Sequence, residues 1–264
     1  MNRWPAALAD LGVPPVEVIR SAALAGLPHG FLGRIGGVSQ GAVAGLQVGF
    51  NAGDDDVHVA QNRRRALDAV CPGAQLVTVK QVHSSRAETA TAPWAEDERP
   101  EVDAIVTSTP GLALAIVTAD CAPVLLADRE AGVIGAAHAG WRGAHGGVLE
   151  ATVRRMEELG AVAGRIHATI GPCIAQASYE VGYDLREKFD DKDAHFFTLG
   201  RPGKWQFDLE SYVAARLESR KLGRVEKLGL DTYGDEQRFF SHRRSVHKHE
   251  PTYGRQFSII ALPG

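Results

Sequence analysis

The chain has 264 residues, 44% hydrophobic, 23% charged and 7% aromatic, fractions that support a full buried core and leave no need for staples. Its 29 basic and 32 acidic residues give a net charge of −3, which argues against a nucleic-acid partner because such partners select basic surfaces. Three widely spaced cysteines, Cys71, Cys121 and Cys173, exclude a disulfide scaffold and fit a reducing, cytoplasmic setting. The N-terminal MNRWPAALAD lacks the apolar stretch of a signal peptide. The most apolar run, LALAIVTADCAPVLLAD, is broken by Asp120 and falls short of the ~20 residues that span a bilayer, so no membrane partner is expected. One domain over residues 1–264 is the expectation.

The first motif along the chain is Gly37-Val38-Ser39-Gln40-Gly41, which fits the G-x-S-x-G nucleophile elbow. An elbow needs a helix directly after the serine, and the loop-like GAVAGLQVGFNAGDD follows instead. A glycine-rich backbone loop is the better reading. Arg34 would supply a fixed cation there and exposed amides could cradle an anion, the competing reading being a plain glycine-rich turn. The acidic triplet Asp54-Asp55-Asp56 suits a helix N-terminus and predicts a helix over Asp56–Val70. Apolar, β-branched segments predict strands at Gln75–Gln81, Val102–Thr107, Leu112–Thr118, Pro123–Ala127, Val133–Ala137, Arg165–Ile170 and Gln256–Leu262, with a surface loop over 91–101. Leu149, Val153 and Met156 at i, i+4, i+7 predict a helix over Gly146–Leu159. Asp208 caps a third helix, Leu209–Arg220. Strands outnumber helices, neighbours such as 112–118 and 123–127 read as pairs, and strict βαβ alternation is absent. The expected class is a mixed, α+β fold.

Three strand ends carry metal-binding side chains. His83 follows QLVTVKQV, Cys121 follows LALAIVTAD, and His138 follows VIGAA. Rigid sheets place functional groups where strands stop. Two imidazoles and a thiolate suit zinc, and three protein ligands leave a position open for water or substrate. The spacings match no local finger motif, so a buried cysteine with two satisfied histidines is the competing reading. A His2Cys set also makes blue-copper centres, which usually add an axial Met. Met1 and Met156 are the available methionines, and Met156 lies on the apolar face of its helix. A multicopper cluster would need several H-x-H pairs, and His247 with His249 is the one present. Ligand supply therefore favours zinc, with copper as the alternative. Cys173 in IGPCIA and Cys71 before Pro72 read as structural, and SHRRSVHKHE as a solvated basic segment. The turn HAGWRG precedes the helix 146–159, where a helix N-terminus beside Arg142 would attract phosphate.

At QVHS, TADCAPVLLAD, AAHAGWRGAHGGVLEATV, IGPCIAQASYEVG and RFFSHRRS the sequence resembles the laccase-domain family, also called peptidoglycan editing factor or multicopper polyphenol oxidase proteins. Its members are regarded as zinc-dependent purine nucleoside phosphorylases with adenosine deaminase activity. The resemblance runs from GRIGGVSQG to FSIIAL and implies that His83, Cys121 and His138 are catalytic metal ligands. It also implies a layered sandwich of helices around mixed sheets. The family's R-x-G-G-V-S segment maps onto Arg34, Gly36, Gly37, Val38 and Ser39, and the implied use of phosphate makes Arg34, Gly36, Gly37 and Ser39 the candidates for holding it. Many members carry Cys before a Thr-Tyr pair; here Asp231 precedes Thr232-Tyr233, so a thiol there is not required. The implied reaction is phosphorolysis of adenosine, inosine and methylthioadenosine to free base and ribose 1-phosphate, with deamination of adenosine. Purine nucleosides and phosphate are then the partners. His83 and His138 cannot be bases while they bind metal, so Asp120 and His145 are candidate proton donors, the other role open to Asp120 being to orient a ligand imidazole. Two alternatives stand: a copper-dependent polyphenol oxidase, and a zinc protein acting in peptidoglycan quality control. The latter calls for a fourth protein ligand such as Cys173.

Overall fold

Strands that are apolar on both faces need a covering layer on each side. The computed structural model describes residues 12–50 and 52–264, so the MNRWPAALAD segment lies outside the described residues. Among the described residues the strands form three sheets. The first holds Val18–Ile19 (β1), His29–Leu32 (β2), Gln75–Val77 (β3), Leu112–Thr118 (β6) and Gln256–Ala261 (β14), in the spatial order β1-β2-β14-β6-β3. The second holds Ala87–Thr89 (β4), Ala104–Thr107 (β5), Ala122–Asp128 (β7), Val133–Ala139 (β8), His167–Ile170 (β9) and Arg224–Lys227 (β13), ordered β13-β9-β7-β8-β5-β4. Glu180–Gly182 (β10), Phe197–Leu199 (β11) and Lys204–Phe207 (β12) make a small antiparallel sheet. The helices are Asp56–Val70 (α1), Trp141–Gly146 (α2), Val148–Glu158 (α3), Tyr183–Arg186 (α4), Leu209–Glu218 (α5) and His242–His247 (α6).

Side-chain alternation assigns the layers. Leu114 and Ile116 of β6 face Ile105, Leu125 and Ile134 of the second sheet, which makes a sheet-on-sheet core. Ala113 and Ala115 face the other way, with Phe257 and Ile259, onto Ala66, Leu67 and Val70 of α1. Val124 and Leu126 of β7 turn outward onto Leu149, Val153 and Met156 of α3 and Leu209, Val213 and Leu217 of α5. The result is the expected α+β sandwich, helix–sheet–sheet–helix. No helix among the described residues is long and apolar enough to cross a membrane.

Three local expectations change. Segments 112–118 and 123–127 are not partners: β6 bonds β14 and β3, whereas β7 bonds β8 and β9. The chain leaves one sheet for the other at Asp120, whose φ of 86° is left-handed. The helix expected over Gly146–Leu159 forms as α3, Val148–Glu158, but the segment before it, expected to be a turn, is itself the short helix α2, set off from α3 by Gly147 at φ 100°. The strand expected over 75–81 stops at Val77; beyond it the Gln81 side chain bonds both the amide and the carbonyl of Val117 and so replaces two ladder bonds. Helix α1 has the expected bounds, and its N-cap is Asp55, whose carboxylate accepts from the Val57 amide at 2.8 Å.

Candidate metal centre

Sheet pairing brings two of the three expected ligands together. Cys121 immediately precedes β7, and the β7–β8 register sets Pro123 beside His138. His83 enters from the loop after β3. The ligand atoms of His83, Cys121 and His138 lie within 4.8 Å of one another. Cys121 Sγ is 3.9 Å from His83 Nε2.

Asp103, wholly buried between β4 and β5 in the chain, organises the group. Its Oδ1 accepts from His138 Nδ1 at 2.8 Å and from the His83 amide at 3.0 Å. Its Oδ2 accepts from the Ser84 amide at 2.5 Å, the Ser84 hydroxyl at 2.8 Å and the Val82 amide at 3.2 Å. One carboxylate thus fixes the His138 tautomer, freeing Nε2 for a metal, and holds His83 in its left-handed backbone conformation at φ 59°. Burial raises the Asp103 carboxyl, but the His138 and Ser84 bonds outweigh it and bring it to about 2. Burial likewise raises the Cys121 thiol, yet His138 and His83 lower it to about 6. His138 is lowered by burial and lifted more by Cys121 and Asp103, to about 9. A thiolate already favoured at neutral pH, beside two imidazoles, is a donor set that fits a borderline-soft divalent metal.

Gly140 completes the cradle. A Cβ built there would lie 2.7 Å from Cys121 Sγ and 3.2 Å from His83 Cδ2. Gly140→Ala is therefore expected to push two ligands apart and to lower bound metal at least ~10-fold, the scale of damage from disturbing ligand support. Circular dichroism should stay native while elemental analysis shows the loss; a variant that keeps its full metal complement would show that the close approach is dispensable.

The group opens into a cleft of about 430 Å³, within the ordinary range for small-ligand sites. Its lining also includes Phe50, Arg63, Lys80, Arg99, His242, Tyr253 and Arg255. The residues expected to cradle phosphate lie elsewhere. Arg34 donates Nε and one terminal nitrogen to the Ala44 carbonyl, the other to the Glu236 carbonyl, and stacks on Phe240. Gly36 and Gly37 pack against the backbone of Val16 and Gly45, and the Ser39 hydroxyl donates to Asp54 at 2.6 Å. These contacts brace the loop and commit the Arg34 guanidinium and the Ser39 hydroxyl to protein partners. Arg142 is exposed over the Trp141 ring at the start of the six-residue α2.

The two candidate proton donors are also placed outside the cleft lining. Asp120 accepts from the Thr232 hydroxyl at 2.7 Å and the Arg243 amide at 2.6 Å; it braces loops and orients neither imidazole. His145 is exposed against Phe189. Cys173 is buried in a bridge to Asp231 and does not join the ligand group. Asp231 accepts from the Ala175 and Tyr233 amides and the Ser178 hydroxyl. His247 bonds the Tyr233 hydroxyl. Sequence reasoning missed Asp103 and Arg63, although each carried a signal: an acid within an apolar strand, and an arginine in the apolar stripe Val59–Ala66–Val70 of α1.

Comparison with known proteins agrees with this architecture. The purine nucleoside phosphorylase of Deinococcus radiodurans is 42% identical over 254 residues, covering 95% of this chain and 94% of the relative. One from Corynebacterium glutamicum is 37% identical, covering 88% and 93%. Among solved structures, NMB0706 of Neisseria meningitidis superposes with a TM-score of 0.84 at 33% identity, over 95% of this chain and all of that one. YlmD of Geobacillus stearothermophilus gives 0.83 at 27% identity, over 95% and 97%. The family described as multi-copper polyphenol oxidoreductase laccase matches residues 28–263. By extent of match, ligand group and fold, the chain belongs to that family.

Proposed function

We propose that the chain is a zinc-dependent purine nucleoside phosphorylase of the cytoplasm that also deaminates adenosine. The observation that carries the reading is the three-ligand His83–Cys121–His138 group opening into a cationic cleft with aromatic side chains. The names of the relatives from Deinococcus radiodurans and Corynebacterium glutamicum support the purine nucleoside phosphorylase part of the reading. Adenosine, inosine and methylthioadenosine are the proposed nucleosides, with phosphate as co-substrate.

Zinc is preferred to copper on ligand supply. Among the described residues one His/Cys/Asp/Glu group is gathered closely enough to hold an ion, whereas a multicopper centre needs several. His83, Cys121 and His138 would hold the zinc, which when bound would supply Lewis acidity and lower the pKa of a bound water to about 7.

Phosphorolysis joins a phosphate oxygen to ribose C1′ and breaks the C1′–N9 bond; the base departs with the bonding electrons and takes up a proton. Phe50 and Tyr253 offer ring faces for the purine. His242, packed edge-on to Tyr253 with ring centroids 4.7 Å apart, is the cleft imidazole outside the ligand group and the proposed proton donor. The test is incubation of the zinc-loaded protein with adenosine and phosphate, then with inosine. Adenine, hypoxanthine and ribose 1-phosphate are the expected products, plus inosine from adenosine; no nucleoside cleavage by the zinc-loaded protein, together with oxygen-dependent turnover of phenols by the copper-loaded protein, would establish the copper oxidase reading instead.

A further inference from the structure

Arg63 projects from α1 into the layer between that helix and the first sheet and is 5% exposed. Its Nε donates to the Val48 carbonyl at 2.8 Å. The guanidinium plane lies on the Phe50 ring, 4.2 Å from its centroid, with Phe257 at 5.3 Å. Both terminal nitrogens are free of hydrogen-bond partners among the described residues, and the side chain lines the cleft that holds the ligand group. Burying a guanidinium without an acid is costly, so a helix that carries one on its inner face is built for something that arrives.

A second arginine meets the same cleft. Arg255 stands one residue before β14 and packs over the backbone of Gly49, where a Cβ would come within 3.0 Å of its Cδ and 3.1 Å of a terminal nitrogen. It donates to the Tyr253 hydroxyl at 3.0 Å and makes no ion pair among the described residues. Other cations of the lining are already paired: Lys80 bonds Glu101, and Arg99 bonds Glu96. Glu96 is the acid whose charge acts on Arg63, and Arg99 holds it. Two guanidiniums lacking carboxylates, beside a third, present donor forks that match a tetrahedral oxyanion.

We infer that Arg63 and Arg255 form an oxyanion subsite in the cleft and that its ligand is inorganic phosphate, the co-substrate. The inference rests on the phosphorylase reading for its ligand and on the unpaired guanidiniums for its place. Phe50 and Val48 fix the Arg63 plane, and the missing side chain of Gly49 leaves room for Arg255. Phosphate is thereby held by protein, independently of the metal.

The test is calorimetric titration of the full chain with inorganic phosphate in the absence of nucleoside. Arg63→Met and Arg255→Met are each expected to weaken phosphate binding about tenfold or more, the worth of charge-assisted hydrogen bonds. Arg63→Met also loses the Val48 bond, so Arg255→Met keeps the test alive if the first variant folds poorly. Cys121→Ser, which lacks the metal thiolate, should bind phosphate as wild type does. Unchanged affinity in both arginine variants overturns the subsite. So does binding that vanishes in Cys121→Ser and survives in the arginine variants, because phosphate would then sit on the metal. Absence of phosphate binding by the wild type overturns it too. Should the arginine variants lose phosphate while the wild type cleaves no nucleoside, the subsite stands and the phosphorylase reading falls. Nucleoside cleavage with phosphate affinity unmoved by either arginine does the reverse: the phosphorylase reading stands and the subsite falls.

Discussion

Cys121→Ser is expected to leave the protein folded and without its metal. A hydroxyl is a far poorer zinc ligand than a thiolate, and loss of an outer partner alone typically costs 10–100-fold, so metal affinity should drop by more than ~100-fold and nucleoside turnover with it. The fold should survive, since Cys121 belongs to none of the three apolar core clusters. The pH dependence carries a second signature. In the metal-free chain burial opposes both charges, yet mutual attraction brings the Cys121 thiol to about 6 and lifts His138 to about 9. Between those values the pair is thiolate and imidazolium, so a metal ion must displace the His138 proton. Wild-type affinity should therefore rise with pH toward about 9, with roughly one proton released per metal. In Cys121→Ser the thiolate that holds that proton is gone, and the release at neutral pH should shrink. Calorimetry in buffers of different ionisation enthalpy measures it; equal release by both proteins would show that Cys121 and His138 are not coupled.

Asp103→Asn should do nearly as much damage without touching a ligand. An amide retains one acceptor oxygen, but its NH2 must then face either the Ser84 and Val82 amides or the His138 and His83 nitrogens, all of them donors to Asp103. The conflict should lower stability by ~1–3 kcal/mol, the cost of unsatisfied buried groups. Metal affinity should fall ~10–100-fold as the His138 tautomer and the His83 loop are released. The sign with acid follows from the lowered carboxyl. Wild-type Asp103 stabilises fully above its ordinary 3.8 and loses that contribution as pH falls toward about 2, so this part of acid unfolding should be missing from the variant. Urea titrations of metal-free protein at neutral pH and near pH 3 provide the comparison. Matching stability and metal affinity in the two proteins would remove Asp103 from its organising role.

Elements with strong local signals were legible in the chain. Helix α1 has both an acidic cap and a periodic stripe, and it forms where expected. Strand β6 is a continuous apolar run and does the same. What local sequence could not carry is partnership. Segments 112–118 and 123–127 are adjacent and equally apolar, so they read as a hairpin; one left-handed residue, Asp120, sends them into different sheets. Strands β10, β11 and β12 are three or four residues long, too short for a period to register. The ligands were legible for a related reason. Metal chemistry needs His and Cys, and those residues at strand ends are few. Phosphate chemistry needs arginine, which is common and also serves as a brace, and Arg34 shows that second use. Telling Arg34 from Arg63 required knowing which guanidinium had already committed its donors.

Strand β14 is last in chain order and central in space, flanked by β2 and β6. A ribosome therefore exposes both neighbouring strand edges, together with the apolar faces of Phe31 and Ile116, well before the segment that will join them emerges. Until residues 256–261 arrive, the first sheet is two unjoined pieces, and its closure waits on contacts between β14 and strands translated far earlier. Open edges in that interval invite strand pairing between nascent chains. The same late segment delivers Arg255 to the cleft. Ligand capture and completion of the sheet thus become one event, so a newly made molecule cannot engage its anion before it has closed the edge that endangers it.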